Sequence, residues 1–351
     1  MNKNILLPLG AIVLIAFALL IWQKYFVASA SQDLDGNFIT DQELFFNNGS
    51  ISPSANNLGE PPQEKILITN GIKHSVPLDE IISGGVEKDG IPPIDNPEFV
   101  SVAEADEYLD PNGLGIGIVR DGLERYYPFQ ILVWHEIVND IINGQRVLIT
   151  YCPLCGTGIV FDPVVNGTRV EFGVSGKLYN SDLVMYDRLT DSYWSQIEGK
   201  AIVGEMTRAK LELLPADNVT WADWKRDHPQ SQVLSRDTGY IRDYDRNPYG
   251  NYNASGAIYF PVDNQNDQLH PKDWVYGVEV NGAFKAYRYA ALNASGSFED
   301  NLGGQELTVN YDSDRDVITV YDAETGEEIT GVRSFWFAWY AFHPGTDLYN
   351  P

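Results

Sequence analysis

The sequence has only two cysteines, Cys152 and Cys155, in 351 residues. That is too few for a disulfide framework. They are three positions apart, and a bridge closing so short a loop removes little entropy from the unfolded chain, so structural stapling is a poor reason for the pair. Basic residues are also scarce: 24 Lys and Arg stand against 49 Asp and Glu, a net charge of −25. A polyanion of this kind repels phosphate backbones, which argues against nucleic acid as a partner. The acidity reads as a solvated surface. Methionine is rare, at 3 residues, whereas 20 Tyr and 8 Trp favour strands over long helices. The sequence contains no phosphate-binding loop, dinucleotide fingerprint or His-Glu-x-x-His metal motif. Gly173-Val174-Ser175-Gly176-Lys177 approaches a nucleophile elbow but has Lys where the last Gly belongs.

Long apolar runs are absent except at the start. Residues 5–22 form an 18-residue apolar stretch between Lys3 and Lys24. Its length is at the lower limit for spanning a bilayer. Ala28-Ser29-Ala30 offers a small-x-small cleavage site. Residues 1–30 are therefore expected to be a signal peptide or an N-terminal membrane anchor, with the bulk of the chain extracytoplasmic or secreted after cleavage near Ala30. Acceptor triplets for N-glycosylation at Asn48, Asn166, Asn218, Asn253 and Asn293 permit surface modification on that side. Residues 31–65 are polar and read as a tether. Within it, Asp33-Leu34-Asp35-Gly36-Asn37 has the wrong spacing for a calcium loop and reads as an acidic turn.

The rest is organised around an internal repeat. Residues 109–162 align without gaps on 269–322. The identities include Gly117/Gly277, Gly122/Gly282, Tyr127/Tyr287, Asp140/Asp300, Gly144/Gly304, Tyr151/Tyr311 and Asp162/Asp322, well beyond the three or so expected by chance. Each copy reads as two short strands around Asp121-Gly122 or Asn281-Gly282, a short helix over Phe129–Trp134 in the first copy, and a hairpin at Asn143-Gly144 or Gly303-Gly304. The expected fold is a β-rich α+β fold of two related halves, 66–215 and 216–351, with the cysteine site in the first half facing the second.

Scaffold residues persist between the copies while reactive ones do not. Cys152-Pro153-Leu154-Cys155-Gly156 in the first copy faces Asp312-Ser313-Asp314-Arg315-Asp316 in the second. His135 and Glu136 face Ser295 and Gly296. This difference marks the cysteines as functional. Cys-x-x-Cys suits reversible disulfide formation, and it also suits two thiolates on one soft metal ion. Gly156-Thr157-Gly158 and the β-type run after it predict a loop between strands, without the helix N-terminus that activates a thiol. His135, the nearest His in sequence, is a candidate base, proton donor or third ligand. Its bland alternative is a His packed at the end of an apolar segment. His343 follows the aromatic run Phe335–Tyr340, which reads as core with a possible role in shielding a site. His74, His228 and His270 show no partner spacing.

Several ordered motifs carry a family resemblance. They are Ile137-Val138-Asn139-Asp140, Tyr151-Cys152-Pro153-Leu154-Cys155-Gly156-Thr157-Gly158, Phe172-Gly173-Val174-Ser175-Gly176, Leu178-Tyr179-Asn180-Ser181-Asp182-Leu183, Met185-Tyr186-Asp187-Arg188, Trp194-Ser195-Gln196 and Phe335-Trp336-Phe337-Ala338-Trp339. Over roughly 65–350 the chain resembles the family catalogued as domain of unknown function 3179. Some of its members are labelled possible selenoproteins, which implies redox or nucleophilic chemistry at the cysteine motif. The polar run Ser181, Asp182, Tyr186, Asp187, Arg188, Ser192, Trp194 and Gln196 either lines the site or forms a hydrogen-bonded turn network.

Three functions stay open. One is an extracytoplasmic thiol–disulfide redox protein, an oxidoreductase with an unknown redox partner, in which Cys152 attacks, Cys155 resolves and His135 assists. Another is a copper- or zinc-binding module with Cys152, Cys155 and His135 as ligands and an unknown metal partner. The last is a non-catalytic exported surface or interaction protein.

Overall fold

The structure is a computed structural model that describes residues 65–292 and 294–350. The apolar run, the tether, the acidic turn and Asn48 and Asn293 lie outside the described residues. Among the described residues no helix is long and apolar enough to cross a membrane. The described residues fall in one compact unit. It is a β-rich α+β fold, 43% strand and 11% helix.

The duplication is visible strand by strand. In the first copy, strands Leu114–Arg120 and Leu123–Pro128 form a hairpin and the helix Phe129–Leu132 follows. The meander Ile137–Ile142, Gln145–Cys152 and Thr157–Asp162 completes the unit. In the second copy the same order runs Trp274–Val280, Ala283–Arg288, the 3-10 turn Tyr289–Ala291, then Gly296–Leu302, Gln305–Asp312 and Val317–Asp322. Registers correspond: Gly117 faces Tyr126 as Gly277 faces Ala286. Leu148 faces Phe161 as Thr308 faces Tyr321. The four hairpin dipeptides named above all have positive φ at both positions, from 49° to 80°. Such turns match strand twist, which is why Asn-Gly, Asp-Gly and Gly-Gly occur there.

A polar pin is duplicated too. Tyr127 Oη and Arg125 Nη1 both donate to Asp140. In the second copy Tyr287 Oη donates to Asp300 at 3.0 Å and Lys285 Nζ donates at 2.7 Å. Each pin ties the hairpin to the meander through one acidic residue.

The repeat extends further than residues 109–162 revealed. Strand Asp217–Thr220 pairs with Leu114–Arg120, and Val332–Phe335 pairs with Trp274–Val280. Each leads into a seven-residue helix, Trp221–Asp227 or Trp336–Phe342, capped by His228 or His343. Each helix returns to a short strand parallel to the second hairpin strand. Trp224 Nε1 donates to Ser231 at 2.8 Å, and Trp339 Nε1 donates to Thr346 at 2.9 Å. The indoles lie flat on the hairpins. A Cβ at Gly117 would come within 2.2 Å of Trp224, and one at Gly277 within 2.4 Å of Trp339. That contact explains why both copies keep glycine in mid-strand.

What the first copy adds is the segment between Asp162 and Asp217. It contributes Phe172–Tyr179, Asp182–Asp187, Tyr193–Ser195 and Lys200–Val203 to a seven-stranded antiparallel sheet completed by Leu67–Thr69, Ile72–His74 and Ile82–Ser83. The largest core cluster joins this sheet to both copies, holding Cys152, Cys155, Trp194, Phe335 and Trp336 together.

The two indoles are fully buried anchors. Trp224→Ala and Trp339→Ala are each expected to lower stability by about 3–5 kcal/mol in urea unfolding followed by circular dichroism. Ile241→Ala, at a side chain 98% exposed, serves as the neutral control. A loss below about 1 kcal/mol at either tryptophan would show that the helices do not anchor the hairpins.

Candidate functional site around Cys152 and Cys155

Cys152 ends the strand Gln145–Cys152 and pairs with Thr157 at the start of Thr157–Asp162. The cysteines therefore bracket a tight loop between antiparallel strands, as the sequence predicts. The second copy and the segment that leads into it hold this loop from outside. Phe335 N–H donates to the Cys155 carbonyl at 2.9 Å. Tyr252 Oη donates to the Leu154 carbonyl at 3.1 Å. Gly156 has φ 69°, and a Cβ there would sit 2.7 Å from Trp274. Only glycine accepts both that backbone conformation and that contact.

Both cysteines are free thiols and buried, Cys152 at 1% and Cys155 at 0% exposure. Burial pushes both up from the ordinary thiol range. Their surroundings differ. Hydrogen bonds from the Cys155 thiol and backbone N–H oppose the rise at Cys152. Cys155 stands well above its ordinary value, because burial is reinforced by Cys152 and Asp182. The Ser181 carbonyl at 3.5 Å and Asp182 Oδ1 at 3.6 Å are alternative acceptors for the single Cys155 thiol proton.

Asp182 reaches the sulfurs from the extra segment of the first copy. Asn180 and Ser181 turn with φ 50° and 63°, and Asp182 opens the next strand fully buried. Its Oδ2 accepts from Ile197 N–H at 3.0 Å and Ser195 Oγ at 3.4 Å. Burial raises its carboxyl to about 7 against the hydrogen bonds that favour the anion. Glu136, buried with φ 59°, is pushed to about 8, by burial first and by Asp182 second. Donor atoms of Cys152, Cys155 and Asp182 all lie within 4.8 Å of one another.

Lys272 completes the group. Its ammonium sits 3.3 Å from the ring centroid of Tyr252 and 4.3 Å from that of Phe337, without a hydrogen-bond partner. Burial lowers it to about 7, and the two cysteines oppose that shift. Cys152 also lines a cavity of about 330 Å³ together with Glu136, Leu183, Tyr249, Tyr259 and Phe260. Cys155 is not among its lining residues.

His135 is placed elsewhere. It is fully buried, its Nδ1–H donates to the Pro92 carbonyl at 2.8 Å, and its Nε2 accepts from Tyr244 Oη at 2.7 Å. Both ring nitrogens are engaged, and the cluster of Cys152, Cys155 and Asp182 does not include it. This is the packed histidine of the bland reading. Ser175 donates to the Val184 carbonyl inside its sheet, so the elbow-like string is structural. Of the acceptor asparagines, Asn166 and Asn253 are exposed, whereas Asn218 Nδ2 already donates to the Gly158 carbonyl at 3.0 Å.

The polar run divides. Ser181 and Asp182 meet the sulfurs. Gln196 instead bridges Thr150 and Thr157, and Asp187 accepts from Trp194 Nε1, Leu189 N–H and Thr190 N–H. Lys272 was not singled out in the sequence, and Glu136 appeared there only as a difference between the copies, with no role assigned. The repeat carried a signal for each, since Lys272 faces Asn112 and Glu136 faces Gly296 in the alignment.

With that geometry in place, the comparison with known families is direct. Residues 88–346 match the family described as Protein of unknown function (DUF3179). The chain belongs to this family. No curated protein and no solved structure matches it. The family span covers both copies and every residue of the cluster described above.

The two buried groups next to each other in sequence have opposite linkage to folding. His135 is lowered by burial to about 4 from 6.5. As pH falls from 6.5 toward 4, the unfolded chain takes up a proton that the fold refuses, so stability is lost. Glu136 is raised to about 8 from 4.5, so stability is lost as pH rises between those values. Each slope approaches about 1.4 kcal/mol per pH unit. Melting temperatures across pH 4–9 should show His135→Gln flattening the acid limb and Glu136→Gln flattening the neutral-to-alkaline one. Unchanged slopes in both variants would rule out these buried groups as the source.

Proposed function

We propose that the protein is a thiol–disulfide redox protein in which Cys152 attacks and Cys155 resolves. The asymmetry between the two sulfurs carries this reading. Cys152 borders a cavity, whereas Cys155 lies behind it against a buried carboxyl group. In the Cys-x-x-Cys mechanism the attacking sulfur must meet the substrate and the resolving one must lose its proton inside the protein. Asp182, held near neutral pKa, is suited to take that proton.

The step balances for a disulfide substrate. The Cys152 thiolate attacks one substrate sulfur, the S–S bond breaks, and the departing thiolate takes up a proton. Cys155 passes its proton to the Asp182 carboxylate and attacks the Cys152 sulfur. The second substrate thiolate leaves and is protonated. Two electrons reach the substrate, and the protein retains a Cys152–Cys155 disulfide, which a dithiol reductant returns to thiols by the reverse exchange. The raised thiols make the reaction slow at neutral pH and faster as pH rises. On this reading, and on the strength of the apolar run 5–22, the site works outside the cytoplasm, where such exchange is common.

A specific observation favours a second reading. Two thiols and a carboxylate within 4.8 Å match the donor types of a zinc site. Asp182 then takes the ligand place that His135 was expected to fill. With copper(I), the thiolates alone would dominate.

Reaction of the folded protein with 5,5′-dithiobis(2-nitrobenzoate) separates these. Wild type should release both thionitrobenzoate equivalents of the reagent. Cys155→Ser should stop at the mixed disulfide after the first, and Cys152→Ser should be nearly inert. Asp182→Asn should leave the first release unchanged and slow the second by roughly 100-fold. The redox reading fails if Cys152→Ser reacts as fast as wild type. Stoichiometric zinc or copper in protein purified without chelator, lost in Cys152→Ser, would establish the metal reading instead.

A further inference from the structure

A second cavity, of about 630 Å³, lies where the two copies meet and shares no lining residue with the one at Cys152. Phe161 and Leu213 come from the first copy, and Phe284, Trp339 and His343 from the second. The duplication shows what is unusual about it. In the first copy His228 stacks on Trp224 at 3.9 Å, and its Nδ1 lies 2.9 Å from Glu124 Oε1. His343 lies against Trp339 at the equivalent place, with ring centroids 4.2 Å apart but the planes tilted by 51°. At the position of Glu124, however, the second copy has Phe284, whose ring stacks on His343 at 4.1 Å and 18°. The histidine has lost its acidic partner. Its ring nitrogens have no hydrogen-bond partner among the described residues, and the ring lines the cavity instead.

The cavity lining carries one more cation than anion in a chain of net charge −25. Lys200, Arg208 and Lys210 line it against Glu198 and Glu279, and Lys210 pairs with Glu279 at 3.1 Å. Arg208 has no ion-pair partner among the described residues, and it adopts φ 78°, a conformation costly for a side chain of its size. Strain of that kind at a cavity rim is a lead to function, not a demonstration of it. The volume is ordinary for a small-molecule site.

We propose that this cavity binds a small carboxylate with an apolar body. The ring-lined floor of Phe161, Phe284 and Trp339 takes the body, Arg208 takes the carboxylate, and His343 donates a hydrogen bond to it. Burial holds His343 neutral, at about 3, so it acts as a hydrogen-bond donor and not as a charge. The proposal does not rest on the cysteine chemistry, although Ile197, which lines this cavity, also donates its N–H to Asp182.

Isothermal titration of the purified protein with 4-phenylbutyrate and with decanoate tests this. Saturable binding of at least one is expected, with the matching alcohol, 4-phenylbutanol or decanol, at least about tenfold weaker. His343→Gln and Arg208→Gly should each weaken binding by about five- to tenfold. Arg208→Gly also relieves the positive φ, so a lost affinity with an unchanged or higher melting temperature belongs to the guanidinium and not to misfolding. Absence of saturable binding by either acid, equal binding of acid and alcohol, or unchanged affinity in both variants overturns the proposal.

Discussion

The capture of one hairpin loop by the opposite copy and the segment leading into it is the constraint from which the site follows. Phe335 N–H and Tyr252 Oη take the carbonyls of Cys155 and Leu154, and Trp274 closes over Gly156. A loop at a strand turn normally faces water. Here it is pressed into the largest core cluster, so both thiols lose solvent and both rise in pKa. The same burial brings Asp182, Glu136 and Lys272 to values far from their ordinary ones. Perturbed groups gathered beside a cavity make this cluster the candidate centre.

The duplication explains how such a centre can be built. One copy supplies the cysteine loop, and the long segment after Asp162 supplies Asp182. The other supplies the lid residues and Lys272. The shared framework of hairpin, meander, Trp-bearing helix and return strand is held in both by the same contacts, an acidic pin and an indole on glycine. Because these contacts carry the fold, the loop after the second meander strand is free to differ. In one copy it holds thiols. In the other, Asp316 is tied down by Arg333 and Tyr311, and Asp312 caps its own turn.

Much of this was legible in the sequence. The gapless repeat, the turn dipeptides, the loop setting of the cysteines and the family motifs all depend on local spacing. The second half of the repeat escaped notice because the segment between Asp162 and Asp217 is longer than its counterpart between Asp322 and Val332, which breaks the constant offset. The shared Trp-x-x-Trp-x-x-x-His-Pro string, at Trp221 and at Trp336, was the signal available. His135 was nominated by nearness along the chain. Nearness in sequence says nothing about which face a side chain takes after a turn, and the Glu136 turn at φ 59° directs the two residues differently.

By itself the sequence determined a β-rich, duplicated scaffold with one dithiol motif, since periodicity, turn chemistry and repeat spacing are properties of neighbours along the chain. Which groups keep company with the sulfurs was decided only by the tertiary structure. Asp182, Lys272 and Phe335 come from three distant segments, and burial and hydrogen bonding among them exist only once the two copies close on each other.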